Sequence, residues 1–286
     1  MGGRQARPPS HAPRRDLSQQ VVPLVSDERA SEQGLPMNVS RRDRFPGRDL
    51  LELLQEAVPG DRAFQATAWD LLPRTIDSTH APFTILDLGC GTGQSEAWFR
   101  RNYGQVRWLG VDISNSPEVR QRGASSGVFV SYDGLRLPVQ DCTIDLVFSR
   151  QVFMHVDQPD ALLLEVQRVL RPGGRFIGSV SQLEPYQSLS RANYNPYGWK
   201  LMVERAGLRL DEVRPGIDVL TLVVRRATRH PLFNRWLVRT SPLNRFIFWS
   251  AKRRRLDASL ANAAALLLCG QYAFCAIVED RSCEQK

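Results

Sequence analysis

The stretch that most limits what this chain can become is Ile85-Leu86-Asp87-Leu88-Gly89-Cys90-Gly91-Thr92-Gly93. The apolar run from Phe83 to Leu88 predicts a buried strand with one acid near its end. Three glycines at alternate positions follow, and Gln94 to Phe99 reads as the first turns of a helix. Strand, glycine turn and helix together open a nucleotide-binding βαβ unit. Glycine serves two needs there: the chain turns through positive φ, and the backbone must come close to a ligand.

The rest of the chain extends this opening into an alternating α/β pattern. Val106 to Asp112 reads as the second strand, ending in an acid. Asp112 lies about twenty residues past the glycines, the spacing at which a carboxylate meets ribose hydroxyls in nucleotide folds. A carboxylate suits that place because it accepts two hydrogen bonds from a vicinal diol. Val128-Phe129-Val130 reads as strand three and Ile144 to Ser149 as strand four. Asp160 to Leu170 has helical apolar spacing, which Arg171-Pro172-Gly173-Gly174 should stop before strand five, Arg175 to Val180. A helix through Leu201, Val203 and Ala206 should end at Gly207. Leu208 to Val213 and Gln271 to Glu279 are strands six and seven. Ahead of the glycine loop, Asp49 to Ala57 reads as a short helix. Asp61 reads as the N-cap of a second, with Phe64, Ala68, Leu71 and Leu72 on its apolar face.

A dinucleotide loop wants G-x-G-x-x-G, but here the third glycine arrives one residue early, at Gly93. The pattern D-x-G-x-G-x-G resembles motif I of the class I S-adenosylmethionine (SAM) methyltransferases, of the small-molecule, type 11-like kind. Three further segments are similar to that family: Asp133-Gly134 with Leu137-Pro138, the strand Ile144-Asp145-Leu146-Val147-Phe148-Ser149, and Leu170-Arg171-Pro172-Gly173-Gly174-Arg175-Phe176. The resemblance covers about Asp61 to Arg214 plus the final strand. It implies an α/β, Rossmann-like fold: a seven-stranded, mostly parallel sheet with an antiparallel last strand and helices on both faces. It also implies SAM as cofactor. Asp87 would help hold its methionine end, Gly89, Gly91 and Gly93 would let it lie across the strand tips, Asp112 would meet the ribose, and Asp133 with Gly134 the adenine, with Arg150 lining the pocket.

Methyl transfer from a sulfonium is an in-line displacement, so positioning can supply much of the acceleration. A base is needed only when the acceptor must lose a proton. His155, after strand four, is the candidate base, and packing or capping of the next helix is its structural alternative. Gln151, Glu184, Tyr186, Tyr194 and Tyr197 leave the ends of strands four and five and are the candidate acceptor contacts. Asn195-Pro196-Tyr197 is a poor match to the N-P-P-Y motif of nucleic-acid amino methyltransferases, since a proline is missing and it follows the wrong strand. The residues therefore point to a small-molecule, saccharide or lipid-like acceptor, with oxygen as the accepting atom. The alternatives are an RNA methyltransferase, a silent SAM-binding protein and, against the glycine spacing, a NAD-linked oxidoreductase. No metal spacing is present among the five cysteines, whose odd count fits a reducing, cytoplasmic setting better than a disulfide framework.

Charge divides the chain unevenly. Between Val219 and Leu256 stand ten cations and no acid, so the remainder carries a net −2, the total of +8 less these ten. The segment also holds Phe233, Trp236, Phe246, Phe248 and Trp249, and it falls within an insertion at about residues 215–268 of the domain spanning 46–286. Such a mixture suits a lid and peripheral contact with an anionic membrane. Residues 1–45 are rich in Pro, Ser, Gln, Gly and Arg with no apolar period and read as a disordered tail.

Overall fold

A computed structural model describes residues 45–63, 65–73, 82–123, 127–184, 189–228 and 241–279. The chain divides into two units, Met1–Val39 and Ser40–Lys286, and all described residues belong to the second. Residues 1–44 of the expected tail, Phe64, Tyr186 and residues 229–240 of the insertion lie outside the described residues, whereas Phe45, placed at the end of that tail, is buried in an apolar cluster.

Seven strands form one sheet: β1 (Phe83–Leu88), β2 (Val106–Ile113), β3 (Val128–Tyr132), β4 (Ile144–Arg150), β5 (Leu170–Ser181), β6 (Leu208–Pro215) and β7 (Gln271–Val278). Their order is β3-β2-β1-β4-β5-β7-β6. β7 runs antiparallel to both its neighbours, β5 and β6, while the pairs among β1 to β5 are parallel. The sheet is thus the expected one. The strand order reverses between β1 and β4, and a doubly wound sheet opens its ligand crevice at the carboxyl ends of such strands.

The central strands are apolar on both faces because both faces are covered. On one side Leu86, Leu88, Val147, Phe176, Val180 and Phe274 pack against α1 (Arg48–Leu54), α4 (Pro159–Val169) and α5 (Pro196–Arg205). On the other, Ile85, Leu146, Phe148, Ile177 and Cys275 pack against α2 (Gln94–Tyr103) and a 3-10 turn at Ala68–Leu71. Alternation along each strand sends successive residues to opposite clusters, as at Ile85 and Leu86.

Two details differ from the sequence reading. The second helix after Asp61 is only the 3-10 turn Ala68–Leu71, and its cap is Thr67, in a reciprocal capping box with Asp70. Asp61 instead pairs with Arg214 at 3.0 Å, which holds its carboxyl below the usual range. Strand five also begins earlier. Leu170 already pairs with Ile144, and the ladder resumes after Arg171 to Gly174 at the Arg175–Leu146 pair, so the glycine turn is a bulge within β5.

Between β6 and β7 the insertion is helical: α6 (Val219–Thr228), α7 (Pro242–Arg253) and α8 (Ala258–Leu267). A third apolar cluster joins Ile247, Phe248 and Ala251 of α7 to Leu260, Ala261, Ala264 and Ala265 of α8 and to Phe45. A short α3 (Pro117–Arg120) follows β2, capped by the Ser116 hydroxyl on Val119 N at 3.1 Å. Among the described residues no helix is long and apolar enough to cross a membrane.

Candidate active site

The glycine loop occupies the switch point. Gly89, Gly91 and Gly93 all have positive φ, at 70°, 52° and 80°, where an L side chain is strained. Gly93 is needed twice over, because a Cβ there would lie 2.5 Å from the Phe129 ring. Gly91 is demanded by its backbone angle more than by crowding, since its nearest neighbour would be Glu118 Cβ at 3.2 Å.

Both peptide groups of Gly91 are held. Its N–H donates to Asp112 Oδ2 at 2.7 Å, and its carbonyl accepts from Arg122 Nη2 and Nε at 2.7 and 3.0 Å. Arg122 in turn lies 3.9 Å above the Phe129 ring. Arg122 belongs to no motif and nothing in the sequence marked it; a single arginine after a short helix carries no pattern. It fastens the loop as a backbone partner.

Asp112, the last residue but one of β2, is half-buried, with Oδ2 on Gly91 N and Oδ1 on its own neighbour's amide, Ile113 N, at 2.8 Å. Burial pushes its carboxyl pKa up, while the two amides and Arg122 pull it down. Each oxygen keeps a second lone pair, so the group can still accept from a diol. Asp133 follows β3, fully exposed. Its Oδ1 accepts from Leu135 N and Arg136 N at 2.9 and 2.8 Å, which lowers its pKa. Gly134 beside it has φ 89°.

Asp87 is the buried acid of the group, 5% exposed. It accepts a short hydrogen bond from Ser95 Oγ, and Ser95 Oγ accepts from Trp108 Nε1 at 3.1 Å. Burial pushes its pKa up to about 7; the Ser95 bond and the charge of Arg150 oppose this, and Asp112 adds to it. Ser95 and Trp108 thus join the site although the sequence reading passed over them. Arg150, at the end of β4, is exposed and lies over Trp69 at 4.9 Å and Phe148 at 5.9 Å.

After β4 the chain bends at Gln151, a non-glycine residue with φ 58°. Such conformations persist only where neighbours over-determine them. Here Gln151 N donates to Ser179 O at 2.9 Å, Gln151 Nε2 donates to Ser179 Oγ at 3.2 Å, and Gln151 Oε1 accepts from Ser181 Oγ at 2.8 Å. The Ser181 hydroxyl also lies 2.7 Å from Glu184 Oε2. Glu184 is buried and accepts from Gln271 Nε2 at 2.5 Å and, in a short ion pair, from Arg226 of α6. Glu184, Gln271, Leu222, Arg225 and Arg226 line a hollow of about 250 Å³. One polar chain therefore links the β4 turn to the insertion.

The other candidates divide. His155 is exposed on the 3-10 turn Phe153–His155, its amide closing the turn on Val152 O at 2.8 Å. Tyr194 donates from its hydroxyl to Phe153 O at 3.1 Å, and burial raises its pKa. Tyr197 packs half-buried against the main cluster. Tyr186 falls outside the described residues. Among those residues no group of His, Cys, Asp and Glu could hold a metal ion.

Comparison with known proteins places the same segment. Residues 86–178 match the family model described as "Methyltransferase domain". The chain is 30% identical over 149 residues to Methyltransferase GfsG of Streptomyces halstedii, covering 45% of this chain and 54% of that protein. It is 32% identical over 114 residues to a malonyl-[acyl-carrier protein] O-methyltransferase of Hahella chejuensis, covering 39% and 41%. The chain thus spans about half the length of these relatives. In fold it is similar to a methyltransferase of Haloferax volcanii solved with the Trm112 methyltransferase activator, with a TM-score of 0.50, 21% identity, and coverage of 74% of this chain and 88% of that one.

Proposed function

We propose that the chain, whose residues 86–178 match a methyltransferase family model, is a class I SAM-dependent methyltransferase that transfers a methyl group to a small-molecule, saccharide or lipid-like acceptor, at oxygen. The observation that carries the reading is the Gly91 anchor. A loop with three positive-φ glycines is fixed from both sides, with the half-buried Asp112 carboxylate beside it at the sheet's switch point. The residues fit the cofactor: Asp112 has lone pairs to spare for a ribose diol, Asp133 is held open in its turn, and the glycines leave the strand tips bare.

SAM supplies an activated methyl on a sulfonium. The chain's part is to orient and exclude. Gln151, fixed by Ser179 and Ser181, presents a rigid polar edge beyond β4, and Glu184 carries the same network toward α6. These residues, with Tyr194 and Tyr197 behind them, form the proposed acceptor side. Alignment of acceptor and methyl is the main source of rate in such a site. Where the acceptor is a hydroxyl, His155, exposed on the turn after β4, is the proposed base. The O-methyltransferase among the relatives supports oxygen as the accepting atom.

The test is turnover of methyl-labelled SAM in fractionated metabolite and lipid extracts, followed by mass spectrometry of the labelled product. Label in one small organic product supports the reading. Label in RNA alone, or SAM binding without any transfer, overturns it in favour of the RNA or silent alternative. Once the acceptor is known, His155→Ala should lower kcat by about 10²–10⁴-fold with SAM affinity unchanged.

A further inference from the structure

The outward face of α7 sets large aromatic rings beside cations. At 100° per residue, Arg245, Phe246, Trp249, Lys252 and Arg253 fall within about a third of the helix circumference. All five are exposed, Phe246 by 60% and Trp249 by 58%. The opposite side, Asn244, Ile247, Phe248 and Ala251, is buried against α8 and Phe45. The two exposed rings lie 6.0 Å apart, and the Arg253 guanidinium lies 6.0 Å from the Trp249 ring. Two large rings held in water on a helix whose apolar needs are already met call for an explanation outside the domain.

We propose that this face is a docking surface for an anionic lipid bilayer, with Phe246 and Trp249 entering the interface and Arg245, Lys252 and Arg253 meeting lipid phosphates. The charge is complementary, since no acid stands between Val219 and Leu256 to oppose it. Aromatic rings flanked by long cationic side chains suit the boundary between headgroup and acyl chain, where the ring enters and the guanidinium stays wet. A second copy of the chain is a poorer occupant, because an isologous contact would set this cationic face against itself. Single-stranded nucleic acid wants a groove that tracks the backbone, whereas here rings and cations share one convex helix face. Arg254 and Arg255 are not part of the surface: Arg254 lies 5.6 Å from the Phe45 ring, and Arg255 turns the chain at φ 55°.

The position has a functional sense. Ser241, at the head of α7, donates to Asp218, whose carboxylate also caps the first turn of α6 through Thr221. α6 carries Arg226 to Glu184. The docking helix is thereby fastened to the element beside the proposed acceptor side.

Co-sedimentation of the full chain with vesicles tests this. One set is phosphatidylcholine alone, the other equal parts phosphatidylcholine and phosphatidylglycerol, each at low and high salt. Recovery should occur with the anionic vesicles and fall with salt. The triple variant Arg245→Ser, Lys252→Ser, Arg253→Ser should weaken it by about a hundredfold, at about fivefold per cation. Phe246→Ser with Trp249→Ser should abolish it. SAM affinity by calorimetry should be unchanged in both variants, which certifies their folding and separates this inference from the catalytic reading. Equal recovery with the two lipids, none with either, or recovery untouched by both variants would overturn the proposal. So would salt-sensitive retention on RNA with none on vesicles, or a dimer that Phe246→Ser with Trp249→Ser disperses while vesicles bind neither form.

Discussion

At the scale of single residues, the three acids of the site are separated by environment. Asp133 is exposed and held low by two amides, Asp112 is half-buried and pulled both ways, and Asp87 is buried and pushed up to about 7. Asp112→Ala should weaken SAM binding by roughly 1.5–3 kcal/mol, the range for hydrogen bonds to a charged group. It should also cost roughly 1 kcal/mol of stability, because the Gly91 amide loses its acceptor. Asp112→Asn, which keeps an oxygen for Gly91, should spare the stability but not the affinity; titration calorimetry and urea unfolding read the two effects. Unchanged affinity in both variants would remove the ribose role. Asp87 makes a different prediction. Its folded pKa lies above its ordinary value of 3.8, so its contribution is fully present at acid pH and is lost as pH rises toward about 7. The loss from about pH 5 to about pH 8 is roughly 3 kcal/mol at 1.4 kcal/mol per decade. Asp87→Asn has no proton to lose, so its stability relative to the parent should climb over that interval in urea unfolding. A constant difference between the two proteins would mean that Asp87 stays ionised in the fold.

At the scale of elements, what decides placement is often a polar residue reaching across the chain. Asn262 on α8 is fully buried; it donates to Pro59 O and Asp61 O at 2.8 and 2.7 Å and accepts from Ala63 N at 3.1 Å. Its amide thus satisfies a loop about two hundred residues away in sequence. Asn262→Leu would keep the branched skeleton, with somewhat more bulk, and strand three backbone groups, each costing about 1–3 kcal/mol when buried without a partner. We expect a loss of roughly 2–4 kcal/mol in urea unfolding, with water at the loop offsetting part of the sum. A loss under about 0.5 kcal/mol, the size of a neutral surface change, would show that the loop does not need this anchor. Such an anchor was not legible in the sequence, where an asparagine in an apolar run reads only as an interruption. The strands were legible, because β1 and β4 are short, mostly apolar and followed by turn residues. The element after Asp61 was misread for a physical reason: its apolar spacing matched a helix, but Thr67 and Asp70 close a capping box that starts the turn late. The cap outweighed the periodicity.

At the scale of the whole molecule, the site is assembled from parts of the chain that only the sheet brings together. The glycine loop follows β1, Asp112 lies at the end of β2 just before Ile113, Asp133 follows β3, and Gln151 follows β4. Each was readable alone, because a motif needs only its own neighbours. Arg122 on the Gly91 carbonyl, and the network from Gln151 through Ser181 and Glu184 to Arg226, were not, since apart from the local Ser181–Glu184 contact their partners lie 28 to 42 residues apart. This assembly makes a global prediction. A ligand held by the ends of several strands binds the folded chain and not the unfolded one, so it stabilises the whole domain by mass action. At a hundred times its dissociation constant, SAM should add about 2.7 kcal/mol. For a domain of this size that corresponds to a rise of roughly 5–10 °C in Tm. NAD, at the same concentration, should leave Tm where it was, because the third glycine stands one residue too early for a pyrophosphate on the α2 N-terminus. Differential scanning calorimetry of the full chain with each ligand makes the comparison. A rise with NAD and none with SAM would mean that the glycine loop serves a dinucleotide after all, whereas a rise with SAM that Asp112→Ala diminishes would tie the stabilisation to the strand ends from which the site is built.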